Sequence, residues 1–261
     1  MKLPEGSEYV ALGSSYAAGP GLGDRAQGSP RLAGRSTYNY AHLLATRLKL
    51  RLTDVSFSGA TISQIIGKEP GATPVAQLDA VTAQTQLVTV TGGGNDLGYI
   101  GYLITASLPA LVRTVTGGNQ RLAEFSNDAE FERKSSALGD NLIALVDGIR
   151  SRAPRATIVL TDYLALLPPA NAVAAPPLRR EDSERGRHYW ERLTLILRQA
   201  AARSGVLLAD ISAASIEHHA WSPDPWTERF VLLGGRATAY HPNRNGMIAV
   251  ADRIETMLAS A

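Results

Sequence analysis

Apolar and β-branched residues gather in five short runs: Tyr9–Leu12, Arg51–Ser56, Leu87–Thr91, Thr157–Thr161 and Val206–Asp210. The first is short and the second alternates between polar and apolar positions. The other three have the continuous apolar character of strands buried on both faces of a parallel sheet. Between the runs the period changes to that of a helix. Tyr40, Leu44 and Leu48 recur every four residues, and Phe131, Leu138, Leu142, Val146 and Ile149 form a longer stripe that Pro154 stops. Tyr189, Leu193, Ile196 and Ala200 mark a third helix, and Met247, Val250, Ile254 and Leu258 a fourth. Strands alternating with helices predict right-handed crossovers and an α/β, three-layer αβα sandwich. The segments Gly19–Gly34 and Leu167–Pro177 read as surface loops long enough to shape a binding site.

Composition adds mostly exclusions. With 261 residues and an ordinary 44% of hydrophobic positions, the chain is expected to form one large domain, residues 1–261. A net charge of +2 with scattered arginines gives no nucleic-acid footprint. No apolar run approaches the roughly 18 residues of a membrane span, so no stable membrane anchor is expected. The chain has no cysteine, which rules out disulfides, thiolate metal sites and a thiol nucleophile. Lys2, Pro4 and Glu5 lead straight into the first strand and show no signal peptide. Localisation stays open: secreted or periplasmic if a leader has been removed, otherwise cytoplasmic.

The chemistry lies just beyond the predicted strands. Ser15, in Gly13-Ser14-Ser15-Tyr16-Ala17-Ala18-Gly19, follows the first run; Gly59 follows the second; Asn95, in Gly92-Gly93-Gly94-Asn95-Asp96, follows the third. In a parallel sheet these positions converge on the carboxyl edge, where open α/β sheets bind their ligands. His241, in His241-Pro242-Asn243, precedes the last helix in a loop that can fold over that edge. A serine hydroxyl needs a base within about 3 Å to become a nucleophile. The oxyanion of a tetrahedral intermediate needs donors fixed in advance, and the backbone N–H groups of Ser15 and Gly59 with the Asn95 amide supply three.

These four blocks in this order resemble the SGNH hydrolases of the GDSL esterase/lipase superfamily. The match rests on Ser15, on Gly59 within Ser56-Phe57-Ser58-Gly59-Ala60-Thr61, on Asn95 within Gly93-Gly94-Asn95-Asp96, and on His241 within His241-Pro242-Asn243. The resemblance runs from residue 9 to the last helix. It implies a flavodoxin-like five-stranded parallel sheet, no metal or organic cofactor, and hydrolysis of small-molecule esters or similar acyl groups.

Two positions depart from the family pattern. Ser14 stands where an aspartate is usual, which makes it a rival for the nucleophile, although the register to Gly13 and Gly19 favours Ser15. Thr238 occupies the place of the acid three residues before the histidine. The expectation is therefore a Ser15–His241 dyad, with the backbone carbonyl near Thr238 accepting the Nδ1 proton. Some actinobacterial-type members are similar in using a main-chain carbonyl, and Trp221-Ser222-Pro223-Asp224-Pro225-Trp226 also looks like theirs. Asp224 and Asp210 are alternative partners for the ring.

Other residues read as structural. Asp96 is expected to hold its loop, and Tyr38-Asn39-Tyr40 to pack at the start of a helix. His42 and His188 sit on predicted helices, and Arg179–Arg187 is a solvated helix start. His218-His219 lack carboxylates at metal-ligand spacing. Gly67-Lys68-Glu69 is not a phosphate loop, because no hydroxyl residue follows the lysine. Trp221 and Trp226 either line a substrate pocket or cap the core.

The reading is a serine esterase favouring short to medium acyl chains, since no long apolar lid segment is evident. A thioesterase or carbohydrate acetylesterase is an alternative with the same site. A non-catalytic binding module is the alternative of another class.

Overall fold

Alternate residues of a strand face opposite sides of its sheet, and here both sides are apolar. Tyr9 and Ala11 join one core cluster and Val10 and Leu12 the other; Leu87 and Val159 are divided in the same way from Val88, Val90, Ile158 and Leu160. Such a sheet needs a helical layer on each face. The computed structural model describes residues 3–70, 75–170, 172–232 and 238–260 and shows that arrangement. Strands β1 (Glu8–Gly13), β2 (Arg51–Asp54), β3 (Thr85–Thr91), β4 (Thr157–Thr161) and β5 (Leu207–Ala209) pair in parallel in the order β2-β1-β3-β4-β5.

The shorter helices are α1 (Ser15–Ala18), α2 (Tyr40–Leu48), α3 (Ile62–Ile66), α4 (Gly94–Leu97), α5 (Tyr99–Ser107), α6 (Ala110–Val115) and α7 (Gly118–Phe125). They are followed by α8 (Asp128–Arg152), α9 (Arg180–Ser204), α10 (Ile211–Ala214) and α11 (Arg244–Ser260). Tyr40 and Leu44 of α2 pack with Met247, Val250 and Ile254 of α11 on one face of the sheet. Ile62 and Ile65 of α3, the Leu138–Ile149 stripe of α8, and Tyr189 and Leu193 of α9 cover the other. The result is the α/β three-layer sandwich that the periodicity predicts.

Boundaries differ where local polar bonds intervene. β2 stops at Asp54 because Asp54 Oδ1 accepts bonds from the Ser56 N–H at 3.0 Å and the Ser56 hydroxyl at 2.6 Å, which turns the chain out of the sheet. Helices α5, α6 and α7 are absent from the sequence reading. α5 is apolar on nearly all sides, so no period stands out, and α6 buries none of its residues, leaving Leu111 and Val115 exposed.

From β1 the chain moves outward to β2 and then returns past β1 to β3. The order therefore reverses between β1 and β3, and a crevice opens beyond their carboxyl ends. Ser15 follows β1 and Asn95 follows β3, which places both at that crevice.

Candidate active site

The turn after β1 works only with glycine at its corner. Gly13 has φ +147°, and a Cβ there would lie 2.3 Å from the Thr91 carbonyl oxygen of the neighbouring strand. Its peptide groups are clamped by Gln77, whose Oε1 accepts the Gly13 N–H at 2.8 Å while its amide donates to Gly13 O at 3.0 Å. Ser14 is extended and Ser15 opens α1. The Ser14 hydroxyl faces the Tyr163 hydroxyl at 3.5 Å.

Ser15 Oγ lies 2.7 Å from His241 Nε2, closing a contact between residues 226 positions apart. His241 Nδ1 lies 2.8 Å from the Ala239 carbonyl oxygen. A carbonyl only accepts, so the ring proton sits on Nδ1 and the Nε2 lone pair is left to receive the serine proton. Both residues are buried, and the Tyr16 ring packs against the imidazole at a centroid distance of 5.3 Å.

The carbonyl behind the ring belongs to Ala239, which corrects the expectation placed on Thr238. The Thr238 oxygen instead accepts the backbone N–H of His241 at 3.3 Å and closes a turn, and the next carbonyl is the one that faces the ring. Neither alternative acid reaches His241. Asp210 caps α10 through the Ala213 N–H and bonds the Ser212 hydroxyl, and Asp224 pairs with His218 at 3.3 Å. With no carboxylate behind it, burial dominates, and the His241 ring is pushed down to about 4 from its ordinary 6.5.

That shift has a sign in catalysis. A general base works deprotonated, so with His241 in the role expected of it kcat/KM should stay level from neutral pH down to about 5 and fall only as the ring takes a proton near 4. Initial rates across pH 3–8 in a constant-ionic-strength buffer check this; an acid limb centred at 6–7 would contradict it.

Among the described residues, the backbone N–H groups of Ser15 and Gly59 have no hydrogen-bond acceptor in the protein. Gly59 has φ +86° and open space where a side chain would stand. Asn95 follows β3 at the start of α4, and one hydrogen of its amide goes to the Ala60 carbonyl at 3.0 Å, leaving the second for a ligand. The Asp96 carboxylate accepts the Ile62 N–H at 3.0 Å, so the Asn95 and Gly59 blocks are tied together twice. Burial raises Asp96 to about 6, and its contacts fit the structural role expected of it.

Several residues around the site carry no signal in the sequence reading. Ala239 contributes only a main-chain atom, which any residue has. Gln77 lies in a short turn before β3, far from any motif. Tyr163 bonds the Gly94 N–H at 3.0 Å and packs on Tyr16 at 4.4 Å, directly after β4, where a ligand-edge position was the only available clue. Trp226 stacks on His218 at 3.9 Å and Trp221 packs toward Tyr240, so both cap the core side of the His241 loop. Among the described residues, no cluster of histidine and carboxylate side chains has the arrangement of a metal site. No helix among them is long and apolar enough to cross a membrane.

The model of the GDSL-like Lipase/Acylhydrolase family matches residues 11–248. The chain belongs to this family. A curated relative, Lipase 2 of Streptomyces coelicolor (strain ATCC BAA-471 / A3(2) / M145), is 33% identical over 263 residues, covering 96% of this chain and 85% of that protein. The lipase of Streptomyces rimosus is 28% identical over 245 residues, with coverage of 93% and 83%. Among solved structures, phospholipase A1 from Streptomyces albidoflavus NA297 has a TM-score of 0.76 at 24% identity, covering 96% of this chain and 99% of that one. The extracellular lipase from Streptomyces rimosus gives 0.74 at 24% identity with the same coverage, so the two share this fold. This GDSL hydrolase is an ester hydrolase of the esterase/lipase type.

Proposed function

We propose that the protein is a serine esterase working through a Ser15–His241 dyad. The observation that carries the reading is the aligned pair of contacts on one imidazole, Nε2 to Ser15 Oγ at 2.7 Å and Nδ1 to Ala239 O at 2.8 Å. His241 takes the hydroxyl proton as Ser15 Oγ attacks the ester carbonyl. The negative charge that develops on the carbonyl oxygen is met by the Ser15 and Gly59 N–H groups and the second Asn95 amide hydrogen. Collapse of the intermediate breaks the ester C–O bond, and the imidazolium returns its proton to the departing alcohol. Water then enters, loses a proton to His241 and attacks the acyl-enzyme; the acyl C–Oγ bond breaks, the imidazolium returns that proton to Ser15 Oγ, and the carboxylic acid leaves.

In this dyad the Ala239 carbonyl fixes the tautomer and orientation that a carboxylate fixes in a triad. A dipole stabilises an imidazolium less than a full charge does, but it also leaves the resting ring neutral in acid. Short to medium acyl chains are the proposed substrates. A mainly apolar recess of about 220 Å³ is lined by Tyr99, Leu166, Leu167, Trp190 and Ile216. Its Trp190 wall bonds the Tyr163 carbonyl at 2.8 Å, next to the tyrosine packed on Tyr16.

Labelling with an organophosphonate, followed by peptide mapping, tests the nucleophile directly. The adduct is expected on Ser15; an adduct on Ser14, or none in a protein that hydrolyses p-nitrophenyl esters, would overturn the assignment. Thr238→Ala tests what orients the base. It keeps every main-chain carbonyl, so kcat on p-nitrophenyl butyrate is expected to stay within about threefold of wild type, whereas losing a triad acid costs about 10⁴.

A further inference from the structure

The carbonyl that orients His241 faces the ring because of the conformation of the residue between them. Residues 238–241 form a turn closed by the His241 N–H on Thr238 O. Its third residue, Tyr240, has φ +60°, one of two non-glycine residues with positive φ among the described residues; Ala239 is not one of them. A negative and then a positive φ at the two central positions is the type II pattern, which favours glycine in the second place. Type I and type II turns differ by a flip of the central peptide, here the Ala239–Tyr240 bond. In type I the Ala239 carbonyl would point away from the imidazole. In the observed turn it points at Nδ1, and the N–H of the same peptide goes the other way, to Glu228 O at 2.9 Å.

A tyrosine held in the left-handed region needs something to keep it there. Three contacts do so. The Tyr16 hydroxyl donates to the Tyr240 carbonyl at 2.7 Å, and the Tyr240 hydroxyl meets Ser107 Oγ at 2.6 Å. The Tyr240 ring is fully buried beside Phe230 and Trp221. Burial raises both phenols, Tyr240 to about 12, so both hydroxyls keep their protons and remain donors across the working range.

We infer that Tyr240, fastened by Tyr16 and Ser107, is the positioning residue that stands in for the missing acid, by holding the Ala239 peptide flipped toward His241. This rests on the dyad reading above. If the peptide relaxes, Nδ1–H loses its acceptor and the Nε2–H tautomer becomes competitive. That tautomer cannot take the serine proton.

Tyr16→Phe removes one hydroxyl and keeps the ring against His241, so it isolates the fastening. The expected result is a fall in kcat of about tenfold or more with KM within about twofold, since general-base catalysis as a whole contributes about 10²–10⁴. Ring ¹⁵N shifts of His241, assigned against His241→Gln, are expected to move from the Nδ1–H toward the Nε2–H tautomer. Ser107→Ala is expected to shift both readouts in the same direction by less, and it carries the test if Tyr16→Phe loses its circular-dichroism spectrum. An undiminished kcat with the Nδ1–H tautomer intact in both variants overturns the inference. So does a loss of turnover carried by KM with no tautomer change. Ser15→Ala separates the two levels. If it keeps wild-type turnover, the dyad reading fails with the inference; if it is inactive while Tyr16→Phe is unaffected, only the positioning role fails.

Discussion

Ser15→Ala is expected to lower kcat/KM on p-nitrophenyl esters by at least about 10³-fold while the thermal midpoint stays within a few degrees of wild type. The argument is geometric. The Ser15 hydroxyl makes its side-chain bond to His241 Nε2 alone, so its removal frees the base and disturbs no other partner. Alanine suits the start of a helix interior, and Ser15 is buried in a site whose walls come from other residues. Ser14 is not expected to substitute, because its hydroxyl is partnered with Tyr163 and the imidazole is partnered with Ser15. The residual rate should come from the donors and from binding alone. A variant within tenfold of wild type would mean that the nucleophile lies elsewhere.

Asn95→Ala carries the second large effect. Its amide has two hydrogens: one holds the Ala60 carbonyl, and the other meets the oxyanion in the proposed mechanism. Losing a single oxyanion donor costs about 10²–10³ in kcat, or about 2.7–4 kcal/mol. The expected loss is at least of that size, because the same substitution unties Asn95 from the Gly59–Ala60 turn. It should fall on kcat with little change in KM, since the carbonyl oxygen draws on these donors mainly as it becomes charged. Asn95→Asp should lose at least as much, because an ionised carboxylate offers no hydrogen and repels the developing charge. An increase in KM with kcat preserved would reassign Asn95 to substrate binding.

The parts of this molecule that were legible in the sequence are those that repeat. β3 and β4 are buried on both faces and read as unbroken β-branched runs, and α8, α9 and α11 each show a stripe that packs on the sheet. Ser15, Gly59 and Asn95 were placed by one rule about strand ends, and the order of the strands puts them at the predicted edge. What escaped notice has no repeating signature. The partner of His241 is a main-chain oxygen, and which carbonyl faces a ring depends on a peptide flip that residue types at 238 and 239 do not specify. Gln77 and Tyr163 act through contacts 64 and 69 positions along the chain, to Gly13 and Gly94. The helices between residues 99 and 125 went unmarked because α5 has too many apolar positions to show a period and α6 has too little burial to need one.

In the proposed dyad, the 226 positions between Ser15 and His241 tie activity to the completeness of folding. His241 is carried to Ser15 by the docking of α11, whose Met247, Val250 and Ile254 fill the layer under α2, and whose Gly246 lies so close to the Trp226 carbonyl that a Cβ would meet it at 2.2 Å. Until that helix seats, the proposed nucleophile has no base. Local opening of a single element costs less than global unfolding. On that reading ester turnover reports the docking of α11, and heat is expected to silence it when α11 lifts, ahead of the far-ultraviolet circular-dichroism transition of the whole fold.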